Sequence, residues 1–472
     1  MCEKYRTLSA PFWLWLRNSI LVALAARLLC WGILLAALVK LSRTLTIEWY
    51  ALSCSLGVWI CNDQNLGAGE WIFRSAEAKC LAYALLLFAM DAALRKKLLR
   101  AGMCCGLAIC CHVLVGAWGS MALGGALLLC YRDYGWRRIG QFMALVAGLS
   151  IPVAMIAVHY AVPGTPAERQ ASNRLAVSFS DPFHIDPSYF GGWQELALAS
   201  VLAAVAAWVF FKITARSQAK LLCFFLAMML LEFLAGLLAW EMNQFWFLKS
   251  FPFRVPDVLI FLFFMLALPC FVARLIAKLW KQVREDSFRP RSRSAWRRLA
   301  LLFTLVCLVL AGFLRDLDTV LKDDLPVFAG QWQQYIYGSK TSWQEMTEWI
   351  RDNTPKSAII MAPPWESTFW LDAERAQVVS YKRPPHNVRL LEWYRRLMAM
   401  NGGPLHSRGT EVRAELRKNY PQLSRLQIEN ICNQYSADYY LTTQERGDLS
   451  GNLVHASGSY YLYRLRRSDT PY

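Results

Sequence analysis

Ionisable side chains inside apolar stretches are the first candidates for chemistry, because a charge in a membrane is costly and marks function by default. His112 is the clearest of them. It lies in an apolar stretch rich in glycine, where backbone could approach its imidazole. Two interpretations are open: His112 holds a neighbouring helix through one hydrogen bond, or it takes an active part in binding or proton transfer.

A second group of charged residues follows Gly69. If a helix already runs from near Glu70, then Glu70, Arg74 and Glu77 are four and three residues apart and share one face. Two carboxylates around a guanidinium at the mouth of a bundle could bind a phosphorylated or hydroxyl-rich ligand. The alternative is an ion pair at the start of a helix that Ser75 caps and whose dipole favours Glu77.

Two further segments carry polar residues next to apolar helices. In residues 161–194, Asp181, His184 and Asp186 are close enough in sequence to bind a divalent metal or to act as acid and base. Two Asp-Pro steps also fit an ordinary turn-rich loop. Arg254 precedes an apolar helix, where its fork of nitrogen atoms either binds a phosphate or snorkels toward the headgroups.

The composition indicates which elements hold these residues. The chain has 472 residues and is 56% apolar, yet its mean hydropathy is only +0.26, so the apolar residues are unevenly distributed. Residues 1–316 contain nearly all the long apolar runs, whereas residues 317–472 have the short alternating elements of a soluble domain. The sequence therefore predicts an α-helical polytopic membrane bundle of about 8 to 10 segments, followed by a small soluble α/β domain.

The predicted membrane helices each approach the roughly 20 residues that a bilayer requires. They are residues 19–39, which we interpret as an uncleaved first helix, 79–94, 139–160, 196–213, 220–240, 256–276 and 299–314. Two stretches are irregular: residues 50–61 are short, and residues 101–130 are too long for one plain helix and too short for two. The glycines in the second stretch favour a broken or re-entrant pair that enters and leaves on the same side.

The net charge of +17 would suggest a nucleic-acid partner for a soluble protein, but much of it lies in short segments between apolar runs. The positive-inside rule places four such segments in the cytoplasm: residues 95–100, 131–138, 212–220 and 274–298. The intervening loops and everything after Arg315 are then outside the cytoplasm. We predict no nucleic-acid partner and assign no disulfide to the 14 cysteines.

Capping signals and strand-like runs describe the C-terminal region. Capping boxes at residues 342–345 and 424–427 predict two helix starts, and Asn387 is expected to cap a helix that ends at Met400. Strands are predicted at residues 358–362, 377–381, 438–442 and 459–465.

Short motifs over most of the chain add a further signal. They are Gly69-Glu70-Trp71, Glu77-Ala-Lys79, His112 with Gly116 and Trp118, Pro182-Phe-His-Ile-Asp-Pro187, Phe251-Pro-Phe-Arg254, Trp349-Ile-Arg-Asp-Asn-Thr-Pro355 with Ile359-Ile-Met, Lys382-Arg-Pro and Leu391-Glu-Trp393. Together they resemble an uncharacterised bacterial multi-pass family, the DUF6798-type membrane proteins, related in layout to GT-C glycosyltransferases.

The resemblance implies a bundle in the bacterial inner membrane that transfers a sugar from a polyprenyl-phosphate donor to a glycan or protein acceptor, with the C-terminal domain extracytoplasmic. Carried over residue by residue, it makes a candidate site of Glu70, Glu77, Lys79, His112, His184, Asp186 and Arg254. We assign catalytic roles to Glu70, Glu77, His112, His184 and Asp186, and substrate binding to Lys79, Arg254 and Lys382. The cofactor is left open, with a divalent metal ion as the candidate.

Our leading hypothesis is a lipid-linked sugar transferase. GT-C enzymes usually carry an acidic residue in the first outer loop, whereas the segment after the first helix here offers only Glu48 before Asp63. Either a leading helix and loop are missing from this sequence, or the role of base or metal ligand falls to Glu70 or Glu77. Arg254 would hold the donor phosphate, and His184 with Asp186 would orient the acceptor. The alternatives are a transport-type or lipid-binding membrane protein, and a scaffold whose soluble domain binds a partner.

Overall fold

The computed structural model describes residues 20–61, 64–70, 72, 77–159, 162–286 and 340–465. The chain forms two compact units. In the described part, the first unit comprises residues up to 159 together with residues 183–286, and the second comprises residues 162–182 and 340–465. The predicted domain boundary at residue 316 and the predicted helix at residues 299–314 lie outside the described residues.

The first unit is helical throughout its described part. Its helices are α1 (Ile20–Thr44), α2 (Trp49–Cys61), α3 (Ala78–Leu94), α4 (Leu98–Cys111), α5 (Val113–Leu129), α6 (Tyr131–Tyr134), α7 (Trp136–His159), α9 (Pro182–Ile185), α10 (Pro187–Phe190), α11 (Trp193–Ile213), α12 (Arg216–Glu241), α13 (Phe245–Leu248) and α14 (Arg254–Asp286). The numbering follows the chain, and α8 (Pro166–Leu175) belongs to the second unit. Among the described residues, five stretches are long and apolar enough to cross a membrane: Ala25–Thr44, Trp136–His159, Trp193–Ile213, Arg216–Glu241 and Arg254–Leu275. The predicted polytopic helical bundle is confirmed.

The irregular stretch around His112 is a pair of helices broken at a single residue. His112 adopts an extended conformation (φ −150°, ψ 104°) between α4 and α5. Gly116 permits this break, because a Cβ atom on it would lie 2.3 Å from the backbone nitrogen of Ile109 and 2.4 Å from the carbonyl carbon of Ala108. Only a residue without a side chain allows the backbone of α5 to approach α4 so closely.

Described residues from each of the four basic segments lie at one end of the first unit, which we call the basic end. Arg274 donates to the carbonyl oxygen of Lys212 at 2.7 Å, and the Lys220 ammonium lies 2.9 Å from the Asp133 carboxylate. Residues 96–100 line a common cavity with Arg138. Helix α3 runs from the opposite end to the basic end over 17 residues, or about 25 Å.

The second unit is a small α/β domain. Its helices are α8 (Pro166–Leu175), followed by a π-helical segment Ala176–Ser180, α15 (Ser342–Asn353), α16 (Phe369–Asp372), α17 (Leu390–Met400), α18 (Val412–Asn419) and α19 (Arg425–Tyr435), with 3-10 turns at Gly409–Glu411, Tyr420–Gln422 and Gly447–Asn452. Its strands are β1 (Ile359–Met361), β2 (Ala376–Gln377), β3 (Tyr439–Thr442), β4 (Leu453–Ser457) and β5 (Tyr460–Arg464). They form one sheet in the order β2-β1-β3-β5-β4. Strand β1 is parallel to β2 and β3, whereas β5 is antiparallel to β3 and β4.

Most local predictions for this unit hold, and three need correction. The capping box at Ser424 is confirmed. The earlier box lies one residue before the prediction, because the Thr341 hydroxyl, not that of Ser342, accepts from a backbone N–H and Gln344 reciprocates. The strand predicted at residues 377–381 ends at Gln377, since the chain then turns to bond Tyr381 N–H to Pro364. Helix α17 begins at Leu390, later than predicted, and the Asn387 side chain accepts from the N–H of Arg389 at 2.9 Å in the turn that leads into the helix, not in its first turn.

Residues 162–182 complete the core of the second unit. Phe179, whose ring centroid lies 4.7 Å from that of Tyr394, is buried in a core with Trp393. Ser172 donates its hydroxyl hydrogen to the carbonyl oxygen of Asn387 at 2.9 Å. A segment that the sequence describes as a turn-rich loop is therefore part of a folded domain.

The break at His112 can be tested with two glycines of the first unit. We expect Gly116→Ala to lower the yield and melting temperature of the folded protein, because the added Cβ atom meets backbone that cannot move aside. Gly140→Ala is the matched control, since a Cβ atom there meets nothing within 4 Å and alanine favours a helix. Fluorescence-detected size exclusion with a thermal ramp measures both. Equal melting temperatures for the two variants would contradict the close approach.

Candidate functional site

The loop of residues 64–70 is fixed by side chains that bond its backbone. One carboxylate oxygen of Asp257, in the first turn of α14, accepts from the N–H groups of Leu66 and Gly67 at 2.9 Å each. Asn65 accepts from the N–H of Gly69 and donates to the carbonyl oxygen of Glu70. The loop is therefore held at the start of α14, which carries Arg254.

His184 holds the same loop from another direction. Its Nδ1 atom lies 2.6 Å from the carbonyl oxygen of Ala68. Because a carbonyl oxygen only accepts, Nδ1 carries the hydrogen in this contact. His184 is thus next in space to the backbone that leads to Glu70.

A buried ionic cluster forms where these segments meet, and we call it the Glu70 cluster: Glu70, Glu77, Lys79 and Arg254. The Glu70 side chain is 0% exposed, and its two oxygen atoms lie 3.3 Å from Lys79 Nζ and 2.9 Å from Arg254 Nε. Lys79 Nζ is also 2.8 Å from the carboxylate of Glu77. The four residues balance two negative charges with two positive charges.

Glu70 and Glu77 do not meet on one face of a helix, contrary to the prediction from the sequence. Glu70 lies in an irregular loop, and α3 begins only at Ala78, with Glu77 as its N-terminal flanking residue. The prediction that a helix runs from near Glu70 is wrong, because the Asp257 and Asn65 bonds hold this loop in turns. The two carboxylates meet through Lys79 instead. The predicted contributions of Arg74 and Ser75 lie outside the described residues.

The exposed fractions show how a ligand would reach the cluster. The Glu77 side chain is 47% exposed, whereas those of Lys79 and Arg254 are 16% and 14% exposed. The cluster therefore opens at Glu77 and is closed at Glu70. A carboxylate without water contact keeps its charge only with close compensation, which the two cations supply.

His112 lies near this cluster. It caps α5, where its Nδ1 atom accepts from the N–H of Val115 at 3.3 Å. Its imidazole is close enough to Arg254 and Lys79 to interact electrostatically with both side chains. Since Nδ1 is an acceptor here, the hydrogen of the neutral ring is on Nε2. Helix α5 is further held by Trp118, whose indole N–H donates to the carbonyl oxygen of Ser250 at 2.7 Å.

Arg254 is positioned by its surroundings as well as by Glu70. Its guanidinium carbon lies 4.3 Å from the centroid of the Phe251 ring, which is a cation–π contact. The hydroxyl of Tyr83 donates to the backbone carbonyl oxygen of Arg254 at 3.3 Å. These contacts hold the start of α14 and the middle of α3 together.

Three predicted residues take no part in the cluster. Asp186 caps α10, where one oxygen atom accepts from both the N–H and the hydroxyl of Ser188. Lys382 is an exposed turn residue of the second unit, and Asp181 also belongs to that unit, where it accepts from Ser180. No group of three or more His, Cys, Asp or Glu side chains suited to a metal ion occurs among the described residues. The hypothesis of a metal site from Asp181, His184 and Asp186 thus gains no support.

Sequence reasoning missed Asp257, whose side chain is almost completely buried and organises the loop of residues 64–70. The signal was present, because an acidic residue in the first turn of an apolar helix is costly unless it has a partner. Its partners are the backbone N–H groups of Leu66 and Gly67, which lie 191 and 190 positions earlier in the sequence. No spacing within the sequence reveals such a contact.

The cluster can be tested with two matched carboxylates. We expect Glu70→Gln to destabilise the folded protein by about 3–5 kcal/mol, because it leaves Lys79 and Arg254 without a buried counter-charge. Glu77→Gln removes a half-exposed partner and should cost at most about 1 kcal/mol. Thermal unfolding of the purified protein in detergent distinguishes them. Equal losses of stability would contradict the asymmetry of the cluster.

The comparisons with known proteins concern the second unit. No curated protein matches the chain. A family model does match one segment, which runs from the capping residue of α15 to the end of α17. Residues 341–400 match the family described as "Domain of unknown function (DUF6798)", and this match confirms the resemblance to that family predicted from the sequence.

Proposed function

We propose that this chain is a GT-C-like membrane glycosyltransferase that uses a polyprenyl-phosphate-linked sugar donor at the extracytoplasmic face of the bacterial inner membrane. The observation that carries the proposal is the Glu70 cluster, in which a buried carboxylate orients Lys79 and Arg254 beside an exposed carboxylate. Cations held in this way suit a phosphate, and a neighbouring carboxylate suits an acceptor hydroxyl.

The distribution of charge supports the proposed side of the membrane. All four basic segments lie at the basic end, which the positive-inside rule assigns to the cytoplasm. The Glu70 cluster is at the other end of α3, so it would open on the extracytoplasmic side. Residues 162–182 leave the membrane at the far end of α7 from its basic start, and they share the core of the second unit. The C-terminal domain would then occupy the same compartment.

Arg254 is the proposed phosphate ligand. Its Nε atom engages Glu70, which leaves the two terminal nitrogen atoms, the fork that binds phosphate oxygens, for a ligand. Lys79 would add a second positive charge at the same place. Glu70 then acts as a positioning residue, because its side chain is fully buried and its two oxygen atoms contact Lys79 and Arg254.

Glu77 is the proposed general base, since it is the exposed carboxylate of the cluster. The acceptor hydroxyl oxygen forms a bond to the anomeric carbon of the sugar, and its proton passes to Glu77. The bond between that carbon and the phosphate oxygen breaks, and the electron pair leaves with the polyprenyl phosphate. Arg254 stabilises the charge that develops on the leaving phosphate.

The test uses membranes supplied with polyprenyl-phosphate-linked sugar. We expect Glu77→Gln to reduce sugar transfer by about 100-fold or more, as loss of a general base does, with little change in thermal stability. Arg254→Ala should abolish transfer through loss of the phosphate ligand. Glu48→Gln is the control: the sequence offered Glu48 for the first outer loop, but the structure puts it at the basic end, as an exposed carboxylate away from the Glu70 cluster. Unchanged transfer in both site variants would refute the assignment.

One observation favours the alternative of a transport-type or lipid-binding protein without transferase activity. Glu232, in the middle of α12, is only 6% exposed, and neither of its carboxylate oxygen atoms has a hydrogen-bond partner among the described residues. An acidic group inside a membrane bundle is a feature of proton-linked carriers. In the transferase, Glu232→Gln leaves sugar transfer unchanged. In a carrier it abolishes substrate movement across vesicle membranes while the Glu77 variant remains active.

A further inference from the structure

A second charged site lies at the basic end of the first unit, remote from the Glu70 cluster. It is a cavity of about 360 Å³ between the start of α4 and the start of α7, and we call it the basic cavity. Its lining residues are Lys96, Lys97, Leu98, Leu99, Arg100, Arg138 and Gln141. Four of the seven are cationic and none is acidic.

The charge of the basic cavity is not compensated within the described part of the chain. Nearby cations do have partners: Arg95 bonds Asp91 at 2.9 Å, and Lys220 bonds Asp133 at 2.9 Å. No ion pair of this kind joins the four cations of the cavity to a described acidic residue. Asp91 and Asp133 thus pair with other cations, and no acidic residue lines the cavity itself, which stays positive. Such a cavity fits an anionic group.

The backbone at Lys96 indicates that its side chain is placed there against a conformational preference. Lys96 has a φ of 59° and ends α3 in a Schellman motif, with its N–H bonded to Ala93 and the N–H of Lys97 bonded to Ala92. Glycine is the favoured residue at this position, because a side chain strains the left-handed conformation. Lys96 adopts the left-handed conformation in spite of this strain, and its side chain lines the basic cavity.

Aromatic and apolar neighbours place the cavity at the level of lipid headgroups. Trp136 is 61% exposed and stacks on Tyr131 with ring centroids 4.9 Å apart, two residues before Arg138. Stacked Trp and Tyr side chains are typical of the interface between membrane and water. On α4, Leu99, Met103 and Leu107 are exposed at a spacing of four residues, so they form an apolar stripe that begins at the cavity.

We propose that the basic cavity binds the headgroup of an anionic phospholipid, whose acyl chains lie along the apolar stripe of α4. A phosphate between Lys96, Arg100 and Arg138 would be held by charge-assisted hydrogen bonds. The first turn of α4 has no side-chain cap, so its N–H groups add to the attraction. The combination of cations and exposed apolar surface selects a lipid over a free anion, since a free anion uses only the cations.

The experiment is native mass spectrometry of the full chain in detergent, titrated with phosphatidylglycerol or phosphatidylcholine. We expect tighter binding of phosphatidylglycerol and a roughly fivefold loss of its affinity for each cation removed, hence about 25-fold for Lys96→Gly with Arg138→Gln. Lys96→Gly relieves the strained backbone, so its melting temperature should not fall. Arg216→Gln is the control, because Arg216 is exposed at the same end and outside the cavity.

Three outcomes would overturn the proposal. The first is equal binding of the two lipids by the natural chain. The second is unchanged phosphatidylglycerol affinity in Lys96→Gly, measured alone if the double variant does not fold. The third is binding of glycerol 3-phosphate, used as a free-anion probe, as tightly as phosphatidylglycerol, because this would assign the cavity to a soluble anion. None of these results depends on sugar transfer.

Discussion

A carboxylate with no contact to water is the constraint on which the first unit depends. Glu70 is 0% exposed, so its charge must be balanced by Lys79 from α3 and Arg254 from α14. These elements come from distant parts of the sequence, and Asp257 adds backbone bonds that fix the loop between them. Because a buried charge without a partner is strongly destabilising, this arrangement holds the two helices and the loop in one relative position.

The cation pair becomes available for a ligand because of the same arrangement. In water, Lys79 and Arg254 would be mobile and screened, whereas the buried carboxylate holds them in place while each side chain keeps a small exposed fraction. The break between α4 and α5 is also stabilised by a polar side chain inside the bundle. An extended residue at position 112 leaves backbone groups unsatisfied inside the bundle, and the imidazole of His112 satisfies one of them as a cap.

The Glu70 cluster and the basic cavity both contain Lys and Arg side chains, but their net charges differ. At the Glu70 cluster, two cations are matched with two carboxylates, so the cluster itself carries no net charge. At the basic end, Asp91 and Asp133 neutralise only some of the cations and the basic cavity retains its charge. Composition alone gives the net charge of +17, but it does not separate these environments.

The sequence by itself determined the helical bundle, the α/β character of the C-terminal region and several helix starts. These follow from local physics: the length of apolar runs, and capping within three residues, as at Ser424. It also identified Glu70, His112 and Arg254 as candidate site residues, and the family resemblance added Lys79. Only the tertiary structure decided that Glu70 is buried, that Asp186 caps a helix and that residues 162–182 fold with the C-terminal region. The burial of Glu70 against Arg254 and the packing of residues 162–182, as between Ser172 and Asn387, depend on contacts between residues more than 100 positions apart, which no local pattern encodes. The Asp186 cap is a local contact with Ser188, and the structure selects it over the metal-binding role that the same residues could have had.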